Sequence, residues 1–497
     1  MRLCKTAFVG LLVAATLACS RGADGAVPVG EPGSVDPAAA AFAQGLRQRV
    51  TTERMRAHLG EFQRIADANG GNRAVGTPGY QASADYVARV LRDAGFEVQT
   101  PGFDVRVYDA EKPVLTVGGA EIDAAPLRFS AGSAGVRGPL VLAPADQTPG
   151  CVPADYDGLP VRGAVVLVDR GGCKFAEKLA IVAQLGAVAM IVANNVDEEV
   201  MTGSLQENNS IAIPALSVSK SAGARLRAAP GETELKLDAT TRTVTSSNVI
   251  AQTRSGSTQD VVMVGAHLDS VPEAPGVNDN GSGVAAVLET ARQLGPDPRV
   301  RNAVRFAFWG AEEIGTVGSR KYIESLGSDE LKDIALYLNF DMIASPNAGY
   351  FTYDGNQSNA PRPGEAVPRV PEGSAGIERT LVAYLKAAGK TAQDTGFDGR
   401  SDYDAFTLAG VPAGGLFAGA EQKKTAEQAA LWGGTADMPF DPDYHNSADS
   451  LDQINDEALG IQGGGVAYAV GLYATDLDGR NGIPVREDRT RQLLSAQ

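Results

Sequence analysis

Histidine is scarce: the 497 residues include only His58, His267 and His445, so any imidazole chemistry must come from that short set. Cysteine is nearly as rare, because Cys4 and Cys19 fall at the extreme N-terminus and leave Cys151 and Cys173 for the rest of the chain. Neither of these has a histidine nearby in sequence. One disulfide is the simplest reading for an exported chain, and a reactive thiol is the competing one. Basic residues are outnumbered, 44 Lys and Arg against 60 Asp and Glu, giving a formal net charge of −16. Such a surface repels phosphate backbones and anionic lipid, which excludes nucleic acid as a partner. The apolar run Ala7 to Leu17 is too short to cross a bilayer, so no transmembrane helix is expected. There is no internal repeat.

The start of the chain does carry a signal. Arg2 and Lys5 precede the apolar run, and small residues from Ala18 to Ala26 follow it, the pattern of a bacterial export signal over 1–26. Thr16-Leu17-Ala18-Cys19 resembles a lipoprotein cleavage box with its leucine one place too close to the cysteine. Free secretion and a lipid anchor at Cys19 are therefore both open, and either places the mature protein outside the cytoplasm. Residues 27–44, rich in Gly, Pro and Ala, read as a flexible linker.

Beyond the linker the texture changes twice. Residues 45–107 are helical at first, with an amphipathic run from Ala84 to Asp93 closed by Gly95, and then alternate like a strand at Phe96 to Thr100. Residues 108–245 hold short β runs bounded by Gly or Pro, such as Ala164 to Val168 and Ala187 to Val192, the texture of an inserted small α/β domain. From 246 to 477 strands and helices alternate: Val261 to Ala266, the helix Val284 to Leu294, then Ala303 to Trp309, Ala335 to Phe340 and Ala413 to Phe417. That order predicts an α/β fold with a mostly parallel, mixed central sheet covered by helices. Residues 478–497 read as a polar, frayed tail.

Acidic residues and histidines recur where these strands end. His267 closes the run Val261 to Ala266 and is followed by Asp269. In open α/β sheets, sites form at the carboxyl edge of the strands, so this pair can face a cleft, although a His-x-Asp alone is weak. Asp279 lies in the glycine-rich stretch Gly276 to Gly283 that leads into a helix, where a plain N-cap would need fewer glycines. The strand Val304 to Trp309 delivers Glu312 and Glu313, adjacent acids that are awkward unless a cation sits between them; a solvated acidic turn is the bland alternative. Asp341 ends the run Leu336 to Phe340, and His445 lies in the polar loop Asp441 to Asn446. His58 sits in a helix beside Leu59 and reads as a surface or packing residue. Five donors of mixed histidine and carboxylate type suit two divalent ions sharing one carboxylate, with zinc favoured over cobalt or manganese.

In this order these segments resemble the secreted bacterial leucine aminopeptidases of the co-catalytic, two-zinc family. The likeness runs through Gly71-Asn72-Arg73, Pro78-Gly79-Tyr80, Gly265 to Ser270, Gly276 to Gly283, Trp309 to Glu313, Asn339 to Ile343, Gly399 to Asp402, Gly414 to Phe417, Trp432 to Thr435 and Tyr444-His445. It implies the zinc-dependent exopeptidase fold. It also implies two zinc ions per subunit, one held by His267 and Asp341, the other by Glu313 and His445, with Asp279 bridging and a cis peptide after Asp279. Glu312 would be general base and acid toward an activated bridging water, Asp269 would orient His267, and Tyr444 would donate to the developing oxyanion. Glu312, Asp341 and the Arg400 backbone would hold the free α-amine of peptide or protein substrates. Met342, Gly399 and Phe417 would line an apolar pocket for Leu, Met or Phe.

Three departures stand out. Asp443 and Ala448 occupy places where relatives carry a disulfide, Gly460 and Gly464 places where calcium-activated relatives carry carboxylates, and Tyr403 a place where relatives have histidine. The insertion resembles a protease-associated domain through Arg170-Gly171-Gly172-Cys173-Lys174-Phe175, and this likeness would pair Cys151 with Cys173. It offers no evident catalytic residue, which leaves a partial lid or a passive module. The competing enzyme readings are a carboxypeptidase or dipeptidase, which would need basic residues beyond Arg400, and a one-zinc glutaminyl cyclase. A binding protein that kept the fold would be expected to lose ligands or base.

Overall fold

In the computed structural model, which describes residues 36–146, 148–196, 201, 203–359, 369–477 and 482–495, the expected alternation closes into one eight-stranded sheet. Its strands lie in the order Val98–Gln99, Val249–Gln252, Asn302–Trp309, Ser257–His267, Ile334–Phe340, Ala413–Phe417, Phe351–Tyr353, Gln393–Thr395. The central four run parallel, and antiparallel pairings appear toward the edges. The sheet is thus mixed with a parallel heart, as the sequence predicts. Helices cover both faces of these strands, and every residue of Ile334–Phe340 is buried. That is why the strands read as continuous apolar runs instead of alternating ones.

Helix Gly281–Leu294 lies against this sheet with its first eleven residues all buried. Gly283 permits the approach, since a Cβ there would collide with the Phe340 carbonyl. A methyl group at that point would push the helix start away from the end of the neighbouring strand. Helix Thr52–Ala68 packs on the same layer. His58 proves to be a packing residue, 4% exposed, with its ring nitrogens 2.6 Å from the Tyr86 hydroxyl and 3.2 Å from Glu289 Oε2.

The inserted segment forms a second eight-stranded sheet on its own core. Strands Ser133–Leu142, Val165–Asp169, Ala189–Ala193 and Ala215–Val218 are parallel neighbours, alternating in sequence with helices Phe175–Gln184 and Lys220–Ala228. A two-stranded antiparallel ribbon, Gly102–Ala110 against Ala239–Ser247, joins it to the main sheet. The expected boundaries at 107/108 and 245/246 fall inside this ribbon. Cys151 and Cys173 form a disulfide with their Cα atoms 5.8 Å apart, so the reactive-thiol reading is set aside.

Two sequence expectations need correction. The linker does not extend to residue 44: Pro37–Arg49 is a helix, N-capped by Asp36 with proline in its first turn. Its alanines are strong helix formers, and Ala39, Ala43 and Leu46 are buried, the first two against Leu472 of helix Asp456–Thr475. Composition mimicked a tether because small residues serve close helix packing equally well. Nor is the tail frayed where it is described. Arg489 is 2% exposed and donates to the Gln259 and Lys332 carbonyls and to Asp260, while Arg491 donates to the Leu331, Ile334 and Gly410 carbonyls. These arginines satisfy carbonyls of the last turn of helix Ser328–Asp333 and of neighbouring strand and loop residues. The export signal, Cys19 and the linker up to residue 35 lie outside the described residues. Among the described residues no helix is long and apolar enough to cross a membrane.

Candidate metal centre

Strand Ser257–His267 lies between Asn302–Trp309 and Ile334–Phe340, so the chain leaves it first to one side and later to the other. That is a topological switch point, where loops diverge and open a crevice at the carboxyl edge. His267 ends the first of these strands, Glu312 and Glu313 follow the second, and Asp341 follows the third. Asp279 enters from the loop before helix Gly281–Leu294, and the Asp279–Asn280 peptide is cis. Ala311, Met342 and His445 all have positive φ, at 63°, 47° and 58°. Non-glycine residues in that region cost strain that surrounding structure must offset. Here each stands within two residues of an expected metal ligand, or is one.

The two oxygens of Asp279 face opposite ways. Oδ1 lies 3.2 Å from His267 Nε2 and Oδ2 lies 3.1 Å from His445 Nε2. On the first side Asp341 Oδ1 approaches His267 Nε2 to 3.3 Å, and on the second Glu313 Oε2 approaches His445 Nε2 to 3.1 Å. One carboxylate therefore stands between two half-sites, each with its own histidine and acid. Donor atoms of His267, Asp279 and Glu313 lie within 4.8 Å of one another. Glu312 stands back, its Oε2 4.0 Å from His267 Nε2, and is 9% exposed.

The electrostatics call for positive charge. Among the described residues no Lys or Arg pairs with the carboxylates of Asp279, Glu312, Glu313 or Asp341. Burial opposes the charged form of His267, but Asp341, Glu312 and Asp279 outweigh it and raise its pKa well above the ordinary value. His445 rises to about 10 for the same reason, with burial again opposed by Asp279 and Glu313. Burial and the Asp279 charge push Glu313 up to about 7. Glu313 Oε1, Asp341 Oδ1 and His445 Nε2 are all buried without a hydrogen-bond partner. Orphaned buried polar atoms of this kind call for an explanation, and three donors aimed between opposed carboxylates fit a pair of divalent cations.

Neighbouring groups hold the donors still. His267 Nδ1 lies 3.1 Å from the Asp269 backbone carbonyl, which leaves Nε2 for the crevice. The Asp269 carboxylate is 3.8 Å from Nδ1 and accepts from the Glu312 and Glu313 backbone N–H groups at 3.1 and 3.3 Å. It thus fixes the turn carrying both glutamates, while its carbonyl orients the imidazole. Asp449 accepts from the Asn278 and Asp279 N–H groups at 2.6 and 3.1 Å. Arg73 is fully buried, stacked 5.0 Å over Phe62, and donates to the Leu268, Pro275 and Gly276 carbonyls. It ties together the chain between His267 and Asp279.

A relay orients Asp341. Trp309 Nε1 donates to Tyr337, Tyr337 to Asn339 Oδ1, Asn339 Nδ2 to Ser401 Oγ, and Ser401 to Asp341 Oδ2 at 2.5 Å. Asp402 beside it is fully buried, and burial together with Asp341 and Asp269 pushes its pKa up to about 7 against the pull of His267. Sequence reasoning gave none of Asp449, Ser401 or Asp402 a role. The only signal was the match at Asn339 and at Gly399 to Asp402, without a chemical reason for it.

The loop around His445 keeps its shape without a disulfide. Asp443 N–H donates to Asp441 Oδ1 at 2.9 Å, Asn446 N–H to the Asp443 carbonyl, and Ala448 N–H to Asn446 Oδ1 at 2.8 Å. Asp441 in turn accepts from Asn278 Nδ2 at 2.6 Å. Tyr444 stacks on His445 at 3.8 Å, and its hydroxyl accepts from Arg400 Nη2 at 3.3 Å. Arg400 also pairs with Glu421 at 2.7 Å. Tyr403, where relatives were expected to carry histidine, donates to Asp398 at 2.7 Å and accepts from Gly399 N–H at 3.0 Å, so it locks that turn. Met342 is buried and Phe417 half-buried against Phe351, both beside the strand ends.

Residues 248–470 match the model of peptidase family M28, and residues 136–226 match the PA domain. A Mycobacterium tuberculosis protein named "Probable lipoprotein aminopeptidase LpqL" is 66% identical over 461 residues, covering 92% of each chain. An aminopeptidase of Pseudomonas aeruginosa is 38% identical, covering 85% of this chain and 81% of its own. Among solved structures, an aminopeptidase from Aneurinibacillus sp. strain AM-1 superposes with a TM-score of 0.71 at 26% identity, covering 89% of this chain and 98% of its own. BSAP, a zinc aminopeptidase from Bacillus subtilis, does so with a TM-score of 0.59 at 26% identity, covering 89% and 99%. The chain belongs to peptidase family M28, with a PA domain inserted into its peptidase fold.

Proposed function

We propose that this metallo-aminopeptidase is exported, works with two zinc ions, and removes large apolar residues such as Leu, Met or Phe from the free N-terminus of peptides. The observation that carries the reading is Asp279, whose two oxygens face two different histidines at 3.2 and 3.1 Å. His267 and Asp341 would hold one ion, Glu313 and His445 the other, with Asp279 shared. The histidine and carboxylate donor set suits zinc, and relatives named as zinc aminopeptidases support that choice. Zinc bound there would supply Lewis acidity, polarising a carbonyl and lowering the pKa of water.

The chain's own groups do the rest. Glu312 stands close enough to receive the proton of the attacking water on Oε2 and to return it to the leaving amine. Tyr444 accepts its hydrogen bond from Arg400, so its own O–H remains available to donate to the oxygen that gains charge. Glu312 and Asp341, with the Arg400 backbone, form an anionic pocket for an ammonium group. Met342, Gly399 and Phe417 offer an apolar wall for the residue removed. The name of the 66% identical relative supports lipid attachment at Cys19.

An acetyl group on the amine removes the positive charge this pocket requires. Leu-Gly-Gly is therefore expected to be cleaved at least about 10³-fold faster than N-acetyl-Leu-Gly-Gly, read by quantifying released leucine or acetyl-leucine. Equal turnover of the two would overturn the aminopeptidase reading in favour of another peptidase on this scaffold.

A further inference from the structure

Arg128 belongs to the inserted segment, yet its side chain reaches the peptidase turn. Its Nη1 lies 3.5 Å from the backbone carbonyl of Glu313, at the long limit of a hydrogen bond. The residue itself is firmly placed. Its N–H donates to the Gly203 carbonyl at 2.7 Å, its carbonyl accepts from Leu205 N–H at 3.0 Å, and its guanidinium lies 5.7 Å from the centre of the Phe129 ring. Strand Ala125–Pro126, just before it, is paired to Ala215–Val218 at the edge of the inserted sheet.

Several other half-buried or buried arginines among the described residues have more partners. Arg73 and Arg491 each reach three or more carbonyls, and Arg489 and Arg227 each add a carboxylate. Among the described residues no carboxylate makes a close ion pair with Arg128, although the charges of Glu313 and Glu312 act on it, and the Glu313 carbonyl is its sole side-chain hydrogen-bond partner. A guanidinium presents five donors in a planar fork that matches a carboxylate. The carboxylates of Glu313 and Glu312 are directed to His445 and His267, so the half-buried Arg128 beside their turn keeps its remaining donors for a ligand that brings its own carboxylate.

We infer that Arg128 binds the C-terminal carboxylate of short peptides, so that the inserted domain completes the substrate site and biases the enzyme toward di- and tripeptides. This rests on the aminopeptidase reading, since it needs the substrate's amine at the carboxylate cluster. A dipeptide bound that way places its carboxylate about two residue lengths from its amine, roughly 7 Å along an extended chain. An uncharged reporter such as leucine p-nitroanilide, or an amidated peptide, gains nothing from Arg128.

The test compares Leu-Gly, Leu-Gly-amide and leucine p-nitroanilide on the full-length zinc-loaded enzyme and on Arg128→Gln and Arg128→Lys. The unmodified enzyme is expected to show a lower KM for Leu-Gly than for its amide. Arg128→Gln is expected to lower kcat/KM for Leu-Gly by about 10- to 100-fold, through KM, while changing the two uncharged substrates less than about twofold. Arg128→Lys is expected to recover part of the loss on Leu-Gly alone. An equal loss on all three substrates would make Arg128 a prop of the Glu312–Glu313 turn and overturn the proposal, as would no change on any. A KM for Leu-Gly no lower than that for its amide in the unmodified enzyme overturns it without any variant. Failure of the unmodified enzyme to cleave leucine p-nitroanilide would instead sink the aminopeptidase reading.

Discussion

Glu312→Gln is expected to lower kcat by about 10³-fold while both metal ions stay bound. The two adjacent glutamates are set apart by geometry. Glu313 lies 3.1 Å from His445 Nε2, whereas Glu312 comes no nearer than 4.0 Å to His267 Nε2. Asp269 fixes the backbone of both, accepting from each N–H, so a glutamine at 312 inherits the same turn. It keeps the volume of the acid and loses only the capacity to take a proton. Metal content by mass spectrometry, beside steady-state turnover of leucine p-nitroanilide, separates the two effects. Turnover near that of the unmodified enzyme would remove Glu312 from the role of base, and loss of metal would recast it as a ligand.

Asp279→Ala is expected to act at the other step, metal retention. Each oxygen of Asp279 serves a different half-site, so its removal weakens both at once and leaves four donors where five stood. The variant is expected to lose at least one zinc per chain on dialysis and to fall about 10⁴-fold in kcat/KM. It should also unfold at lower temperature, because a bound ion stabilises only the folded state. Full zinc content after dialysis, with activity reduced only slightly, would contradict a shared carboxylate.

These expectations could be framed from sequence because the reactive residues lie where chemistry is legible. His267, Glu312, Glu313 and Asp341 each follow an apolar run, and strand ends at a parallel sheet edge are where such residues converge. Asp279 stands out by its glycines, one of which, Gly283, is needed for close helix packing. The supporting groups were not legible, because their meaning comes from distant partners. Arg73 acts on carbonyls about two hundred positions away, and Asp449 reaches Asn278 and Asp279 across a comparable separation. Nothing local in Ser401 announces that it ends a relay starting at Trp309. The linker and the tail were misread for a related reason. Alanine-rich and arginine-rich segments look solvated by composition, yet one packs small side chains against a helix and the other donates to helix-end and strand carbonyls. Arg128 escaped notice because it is one cation in a domain with no other catalytic signature, and only the fold carries it to Glu313.

Everything in this account depends on a pair of cations sharing Asp279. Anomalous diffraction at the zinc edge, from crystals of the purified full-length protein, addresses that most directly. Two peaks are expected per chain, one beside His267 and Asp341 and the other beside Glu313 and His445, with the Asp279 carboxylate between them. One peak, or none, with the two histidines facing each other across empty space, would contradict it.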